Sequence, residues 1–541
     1  MERVFGNLNM KKGKVIAAAG TIYFIAALGI YCTRMNSNSG INNAGQDLPE
    51  FADSAAMPED QAVPAESKSD ILSRHSLPSL ERMEQEDREQ YVDPLQVVRR
   101  IEELGLDTDD MLCPEISIAK IEEFFGKLDE YDVQGRTVVF DGQTSQELQQ
   151  VIEDNPNVVV DIVSEQIEVT EPVVLHGNTV INGNGVRLLA GSLEYAFYVE
   201  RADNIGISSV LIDGGTGYGI YCVDCDHVKI TDNTIKGCTQ KAISINGSSD
   251  GVIVRGNTIS DNQSGAVYIA GDVTNGLIES NTIRNNRGND KSASGIVLTN
   301  AAQEECPHNF IIRKNKIEDN ESAGIYSDGA YMNYVLDNTV CGNQKEGVSL
   351  CRGTVGFYLA RNTLRQNGGR YNKTDDELRS DFALDAGRME DGSAKAKLPG
   401  ILLDNAAYNI LENNNLSGNY GGGINMLHSA VRNLVLGNVL RDNNAGQSDA
   451  FRFYGIALEA QPSGTGDTGV DYTADYENII CRNIISGNHY SGIFIDEGCY
   501  INDVFDNIVM DAQACGVEAV SQKFNSIINN TTNCGVTIAF Q

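Results

Sequence analysis

The residues able to do chemistry recur in one short frame. It reads Gly324-Ile325-Tyr326-Ser327-Asp328, Gly347-Val348-Ser349-Leu350, Gly400-Ile401-Leu402-Leu403-Asp404, Gly423-Ile424-Asn425-Met426-Leu427, Gly455-Ile456-Ala457-Leu458-Glu459 and Gly492-Ile493-Phe494-Ile495-Asp496. Side chains alternate along a strand, so the Ile and Leu of each frame face one way and the residues between them the other. The outward set holds Tyr326, Asp328, Leu402, Asp404, Asn425, Glu459, Phe494 and Asp496, with Arg352, Asn405, His428 and Glu497 one place further on at the lip.

Glycosidic cleavage uses two carboxylates about 5 to 9.5 Å apart, one as acid and one as base or nucleophile. Asp404 with Glu459, or Asp328 with Asp404, offers such a pair; each is two frames apart, near ~10 Å if the frames stack as neighbouring strands. Proton abstraction beside a uronate carboxylate instead needs a cation, a base and an acid, which Arg352, His428 and Tyr326 can supply. The expected catalytic set is therefore Asp404, Glu459, His428, Arg352 and Asp328. The expected substrate-binding set is Tyr326, Asn425, Phe494 and Asp496, with Tyr326 and Phe494 as stacking surfaces. A carboxylate cluster could hold calcium; no other cofactor is expected. Cys222-Val223-Asp224-Cys225 has CxxC spacing, but no second pair follows at zinc-site distance. Cys222 takes the slot filled by Leu298, Leu350, Leu403 and Leu458, and so reads as a core residue.

The elements that position these residues are counted by a recurring asparagine. It stands at Asn233, Asn257, Asn281, Asn315, Asn338, Asn362, Asn414, Asn438, Asn483, Asn507 and Asn530, at intervals of 24, 24, 34, 23, 24, 52, 24, 45, 24 and 23. The unit is 23 or 24 residues, with insertions in some turns. Three short strands per unit, separated by tight turns, leave no room for crossover helices. They can wind as a coil in which each strand pairs with its counterpart one turn on. A stacked turn repeats one bend in every coil. Asparagine tolerates left-handed dihedrals and can both donate to and accept from the amide above and below, so the series predicts a ladder of left-handed asparagines. A second series, Asn262, Asn286, Asn320, Asn343, Asn367, Asn419, Asn443 and Asn488, runs beside it. Both are read as structural.

On these repeats, from about Val138 to Gln541, the chain resembles the right-handed parallel β-helix, pectate-lyase-like superfamily, most closely its generic repeat branch of NosD-like and carbohydrate-binding or sugar-hydrolase type. The resemblance implies an all-β solenoid whose first strand is the Gly-Ile-x-Leu strand and whose first-strand face binds saccharide. It implies polysaccharide hydrolysis or lyase/epimerase chemistry, with a non-catalytic glycan-binding or structural surface protein as the alternative. The insertions agree with that face independently. Those at 287–293, 368–399 and 445–454 precede the frame, and those at 301–306 and 461–476 follow it, so long turns wall a groove.

Lys+Arg total 41 against Asp+Glu 75, a net charge of −34. Such a field repels nucleic acid, and it disfavours polyanionic glycans unless a divalent cation or a local basic cluster intervenes. Trp is absent, but 21 Tyr can serve for sugar stacking. Residues 1–35 read as a cytoplasmic stub and signal-anchor: Val15 to Tyr31 is apolar, and Lys11, Lys12 and Lys14 precede it. Residues 36–90 are an acidic, Ser- and Pro-rich linker expected to be disordered. Residues 91–137 carry helical spacing at 94–106 and 116–128. Thr144-Ser145-Gln146-Glu147 reads as a capping box opening a helix that seals the coil's start. The expected body, 138–541, is extracytoplasmic, tied to the membrane through the N-terminal helix, and inclined to self-associate at the final coil.

Overall fold

The computed structural model describes residues 70–71, 104–130, 135–288, 290–300, 305–369, 398–444, 453–462, 472–473, 475–487, 490–520 and 524–538. The expected membrane segment (15–31), nearly all of the linker and most of the 94–106 helix lie outside them. Among the described residues no helix is long and apolar enough to cross a membrane.

From Arg136 onward the chain winds as a parallel β-solenoid. Each turn contributes a strand to each of three sheets, and each strand pairs in parallel with its counterpart on the next turn. The first sheet runs from Val173–Leu175 to Val536–Ile538, and the second from Arg136–Phe140 to Ser526–Ile528. The third has 14 strands, from Gln166–Val169 to Thr531–Thr532. The first and second sheets are continuous through two 13-residue strands, Ile243–Arg255 and Val267–Glu279, which bend around the corner between them. Inward-facing aliphatic side chains from all three sheets make one core cluster. Cys222 lies in it with no exposed surface, in register with Ile245 and so with the leucine slot. No disulfide links cysteines among the described residues.

The asparagine ladder is continuous. From Asn233 to Asn530 every member donates its Nδ2–H to Oδ1 of the next, at 2.9 to 3.0 Å. The second series forms its own ladder from Asn262 to Asn443, at 2.7 to 3.1 Å; Asn488 lies outside the described residues. A third ladder went unread in the sequence: Asn409, Asn433, Asn478, Asn502 and Asn525, linked at 2.9 to 3.1 Å, with Asn333 in the same corner.

One expectation is corrected. The ladder asparagines are not left-handed; the residue before each one is. Asp232, Ser280, Lys314, Asp337, Arg361, Asn413, Arg482, Asp506 and Asn529 all have φ between 53° and 57°, and Gly256 and Gly437 have φ of 70° and 65°. The preceding residue makes the bend. The asparagine then turns its amide into the corner, where Asn233 through Asn507 are at most 1 % exposed and hydrogen-bonded to backbone as well as to one another. A buried amide without those partners would be costly, which is why the residue type recurs.

Three ladders also explain where insertions go. Asn333, Asn338 and Asn343 are five apart, as are Asn409, Asn414 and Asn419. Each five-residue interval holds a three-residue strand and a corner, so the second and third sheets tolerate no extra residue. All length variation falls between the second ladder and the third, on the two flanks of the first sheet.

Among the described residues three helices, Thr108–Leu112, Pro114–Glu130 and Ser145–Asp154, precede the regular coils. The Ser145–Asp154 helix starts at a capping box: the Thr144 hydroxyl accepts the Glu147 N–H, and the Glu147 carboxylate accepts the Thr144 N–H. Leu148 and Ile152 enter the core cluster, with Val151 packed against it. The Pro114–Glu130 helix lies on the outer face of the second sheet, where its Phe125 shares a cavity lining with Leu277 and Ile311. Arg313 of that sheet pairs with Glu122 of the helix.

Candidate functional site

Register places the sequence-expected residues in two neighbouring rows on the outside of the first sheet. One row runs Tyr326, Ser349, Leu402, Asn425, Ala457, Phe494. The other runs Asp328, Cys351, Asp404, Leu427, Glu459. Arg352, Asn405 and His428 follow the second row at the lip, where the chain leaves the sheet. Each is left-handed there, with φ of 51°, 55° and 51°. Glycine takes this corner cheaply on other turns, as at Gly247, Gly271 and Gly329. Arginine and histidine stand there at a conformational cost that glycine avoids, as Arg361 and Arg482 do at the corner before the first ladder.

The rows bring two pairs together, Asp328 with Arg352 and Asp404 with His428. Arg352 donates to Asp328 at 3.1 Å, and its side chain is largely exposed. His428 Nδ1 lies 2.7 Å from Asp404 Oδ1, both side chains about 30 % exposed. A carboxylate can only accept, so Nδ1 carries a proton, and the ring's lone pair, in the neutral form, is on Nε2. Glu459 is one turn beyond Leu427, which separates it from Asp404 in the row. Asp496 is not drawn into either pair; it accepts the Glu497 N–H in its own turn. Phe494 is stacked on Tyr454, with centroids 4.3 Å apart and planes 6° from parallel. Asn425 is 8 % exposed, and its Oδ1 has no hydrogen-bond partner among the described residues.

Sequence reasoning missed the residue at the centre. Lys291 comes from the insertion between Asn286 and Ile296, on a short 3-10 turn, Lys291–Ala293. Its ammonium donates to Ser349 Oγ at 3.1 Å and approaches Cys351 Sγ at 3.4 Å. It lies 3.5 Å from Glu346 Oε1 and 5.4 Å from the Tyr326 ring centroid. Cys351 stands between Asp328 and Asp404 in the row, so the ammonium sits over the turn between those that carry the two acids. Burial disfavours its charge, but Glu346, Cys351, Tyr326 and Asp404 outweigh that and hold its pKa above the ordinary lysine range. The insertion was legible as a groove wall; that its lysine folds back over the floor was not.

Two more lysines line the same wall. Lys241, 8 % exposed, donates to Ser264 and Ser292 at 3.0 and 3.4 Å, and burial pulls its pKa down. Lys345 is 7 % exposed. The floor beneath is apolar and covered: Val297, Tyr326, Cys351 and Leu402 form a cluster at most 6 % exposed. Burial and the nearby Cys351 and Asp328 push the Tyr326 phenol above its ordinary range, keeping it protonated. Burial pushes the Cys351 thiol up to about 11, so it is not a thiolate. Glu346 is 2 % exposed, and its Oε2 has no hydrogen-bond partner among the described residues.

Behind the lip lies Asp475, fully buried. One oxygen accepts the Ala430 N–H at 2.7 Å and the other the Glu459 N–H at 3.2 Å. It thus clamps the corner after His428 to the strand end bearing Glu459. Burial, with Glu459 and Asp404 nearby, raises its pKa well above the carboxylate range. Among the described residues no three His, Cys, Asp or Glu side chains converge as a metal site.

The family model for the right handed beta helix region matches residues 195–364 and 394–533. That for the periplasmic copper-binding protein NosD matches residues 291–450. No curated protein matches the sequence. Among solved structures, the chain is similar to the A-module of the Azotobacter vinelandii mannuronan C-5 epimerase AlgE4 at 13 % identity and TM-score 0.43, covering 76 % of this chain and 96 % of that one. It is similar to the periplasmic alginate epimerase AlgG at 13 % and 0.40, covering 73 % and 85 %. It is similar to the catalytic domain of a GH87 alpha-1,3-glucanase at 11 % and 0.45, covering 75 % and 69 %.

Proposed function

Because the chain belongs to the right-handed β-helix family, whose model spans more than half of its length, we propose that the outer face of its first sheet is a polysaccharide groove with a proton-transfer centre at Asp404 and His428. The observation that carries this is the Lys291 ammonium against Ser349 and Cys351, on the turn between those of Asp328 and Asp404. A cation held there can neutralise a uronate carboxylate and acidify the adjacent C–H. His428, with its Nδ1–H on Asp404, presents Nε2 as the base, and the protonated Tyr326 is the acid. Lys241, Lys291 and Lys345, which face Asp290 and Glu346, reduce locally the repulsion that the net charge of −34 would impose on an acidic glycan.

Elimination or epimerisation fits this arrangement better than hydrolysis. Asp404 is engaged by His428, and Leu427 stands between it and Glu459 in the row. Residues 15–31 as a single-pass anchor, an extracytoplasmic body and the Ser145–Asp154 helix as the seal of the first coil belong to the same proposal. A second reading, a non-catalytic glycan-binding protein, is favoured by the covered apolar floor beneath Lys291.

The test incubates the full chain with mannuronan, polygalacturonate and a neutral β-glucan. Unsaturated uronate absorbance, epimer content by NMR and new reducing ends are read together. Unsaturation or epimerisation lost in His428→Ala supports the proposal. Reducing ends without either, lost in Asp404→Asn and Glu459→Gln, would replace it with hydrolysis. Binding without any product establishes the second reading.

A further inference from the structure

The row that holds Tyr326 continues toward the start of the solenoid, and it is aromatic. Register pairs Tyr198 with Tyr221, Tyr221 with Ser244, Ser244 with Tyr268, Tyr268 with Val297, and Val297 with Tyr326. Four tyrosines thus share one outward row over five turns, about 24 Å along the axis. At its far end Tyr195 and Tyr218 stand beside it, themselves paired across the two turns. The Tyr198 and Tyr221 rings are 6.0 Å apart and 8° from parallel, and Tyr195 and Tyr218 are 5.6 Å apart at 23°. The two columns are tilted against each other, by 42° for Tyr195 on Tyr198 and 69° for Tyr218 on Tyr221, so the rings do not close into one stack. Tyr195, Tyr198, Tyr218 and Tyr221 are part-exposed, whereas Tyr326 is buried.

This end of the face is also unwalled. The ladder intervals from Asn233 to Asn281 are 24 residues each, without insertion; the first wall loop begins after Asn286. Exposed aromatic rings with polar tips suit a ligand that has apolar faces and hydroxyl edges, which is the character of a pyranose ring. The charge beside the rings selects among sugars. The Tyr195 hydroxyl donates to Glu194 at 2.7 Å and the Tyr198 hydroxyl to Glu200 at 2.9 Å. Arg201, beside them, is paired with Glu200 at 3.1 Å and lies 3.8 Å from Asp224. Carboxylates dominate here, whereas at the wall three lysines, Lys241, Lys291 and Lys345, face Asp290 and Glu346.

We infer that the tyrosine row is a neutral-sugar track, continuous with the Lys291 recess, so that one glycan chain lies along the axis with uncharged residues on Tyr198 and Tyr221 and an acidic residue at Lys291. This rests on the glycan reading of the first sheet and names its substrate class: a heteropolysaccharide carrying both neutral and uronic sugars. The phenols support it as hydroxyl donors, because burial raises the pKa of Tyr218, Tyr221 and Tyr268 and keeps them protonated.

The test is native electrophoresis of the full chain through gels containing soluble neutral polysaccharides (a β-glucan, a xyloglucan and a galactomannan) or mannuronan. The parent protein is retarded by at least one neutral polymer. Tyr198→Ala with Tyr221→Ala weakens that retardation about tenfold, two ring contacts' worth. Tyr198→Phe with Tyr221→Phe keeps most of it, which separates lost stacking from a damaged fold. Lys291→Met keeps retardation by the neutral polymer and loses it with mannuronan. A parent unretarded by every neutral polymer overturns the track, as does an alanine variant, folded by circular dichroism, that is retarded like the parent. Product formation is read separately: retardation with the expected tyrosine dependence but no product overturns the proton-transfer reading and upholds the track.

Discussion

The Asp404 carboxylate and the His428 imidazole meet at 2.7 Å although they stand on adjacent turns, 24 residues apart in the chain. Each is carried at the end of a Gly-Ile-x-x strand, and His428 is swung toward Asp404 by its left-handed backbone, which Ser429, also left-handed at φ 71°, extends. The pair is therefore a product of the corner as much as of the strand. It fixes which imidazole nitrogen bears the proton, and that choice decides what the ring can do.

Replacing Asp404 by Asn keeps the shape and removes the acceptor-only group. The amide can then donate to Nδ1 and favour the opposite tautomer. Product formation on the responsive uronate polymer should fall by about 10² to 10⁴, the usual share of a general base. Retardation by the same polymer in native gels should be unchanged. A variant as active as the parent would remove Asp404 from the proton-transfer centre.

Lys291→Met should cost stability as well as activity. Glu346 is 2 % exposed, and the ammonium is its cation at 3.5 Å. A buried carboxylate left without it should destabilise the fold by about 2 kcal/mol or more. Lys291→Met with Glu346→Gln should recover much of that in chemical denaturation while product formation stays lost. Independent, additive losses in the double variant would show that the two side chains do not act as a pair.

Asp475 gives the fold a pH dependence of known sign. Its pKa is raised in the folded chain, chiefly by burial, with Glu459 and Asp404 adding to it. Below the ordinary carboxylate range both folded and unfolded states hold the proton, and its contribution to stability is fully present. As pH rises from that range toward the raised folded value, only the unfolded state releases the proton, and stability falls by up to about 1.4 kcal/mol per pH unit. Asp475→Asn cannot titrate. Its denaturation midpoint should therefore decline less with rising pH than the parent's, whatever constant offset the amide introduces. Parallel profiles would mean that Asp475 is ionised in the folded chain.

The asparagine spacing carried the solenoid, its turn count and the flank on which insertions fall, because a ladder must repeat at every turn to satisfy its amides. The third ladder was as regular, five residues before the first, but Phe310 and Phe357 interrupt it early and hide the series. The two outward rows were legible from alternation, since inward Ile and Leu fix the phase of each strand. Lys291 was not, because a loop residue has no periodic neighbour to say where its side chain goes. The tyrosine row was hidden for a related reason. Tyr198, Tyr221, Tyr268 and Tyr326 are separated by 23, 47 and 58 residues, and only strand register shows them to be collinear.

The ladder itself predicts a gradient of damage along the solenoid. Asn338 accepts from the Asn315 N–H and Nδ2–H and donates to the Ile312 carbonyl and to Asn362 Oδ1, at 2.8 to 3.0 Å. Asn338→Ala strips four partners at a corner that is 1 % exposed, where water cannot replace them. With about 1 kcal/mol or more for each buried group left unsatisfied, the loss should reach roughly 3 to 5 kcal/mol. Asn530 closes the series in a part-exposed corner, and Asn530→Ala should cost only a fraction of that. Because turns contact only their neighbours, the interior substitution should also divide the unfolding transition, whereas the terminal one should shift it. Chemical denaturation followed by circular dichroism distinguishes the two. Equal losses at Asn338 and Asn530 would mean that stability comes from the aliphatic core alone and that the amides contribute register without energy.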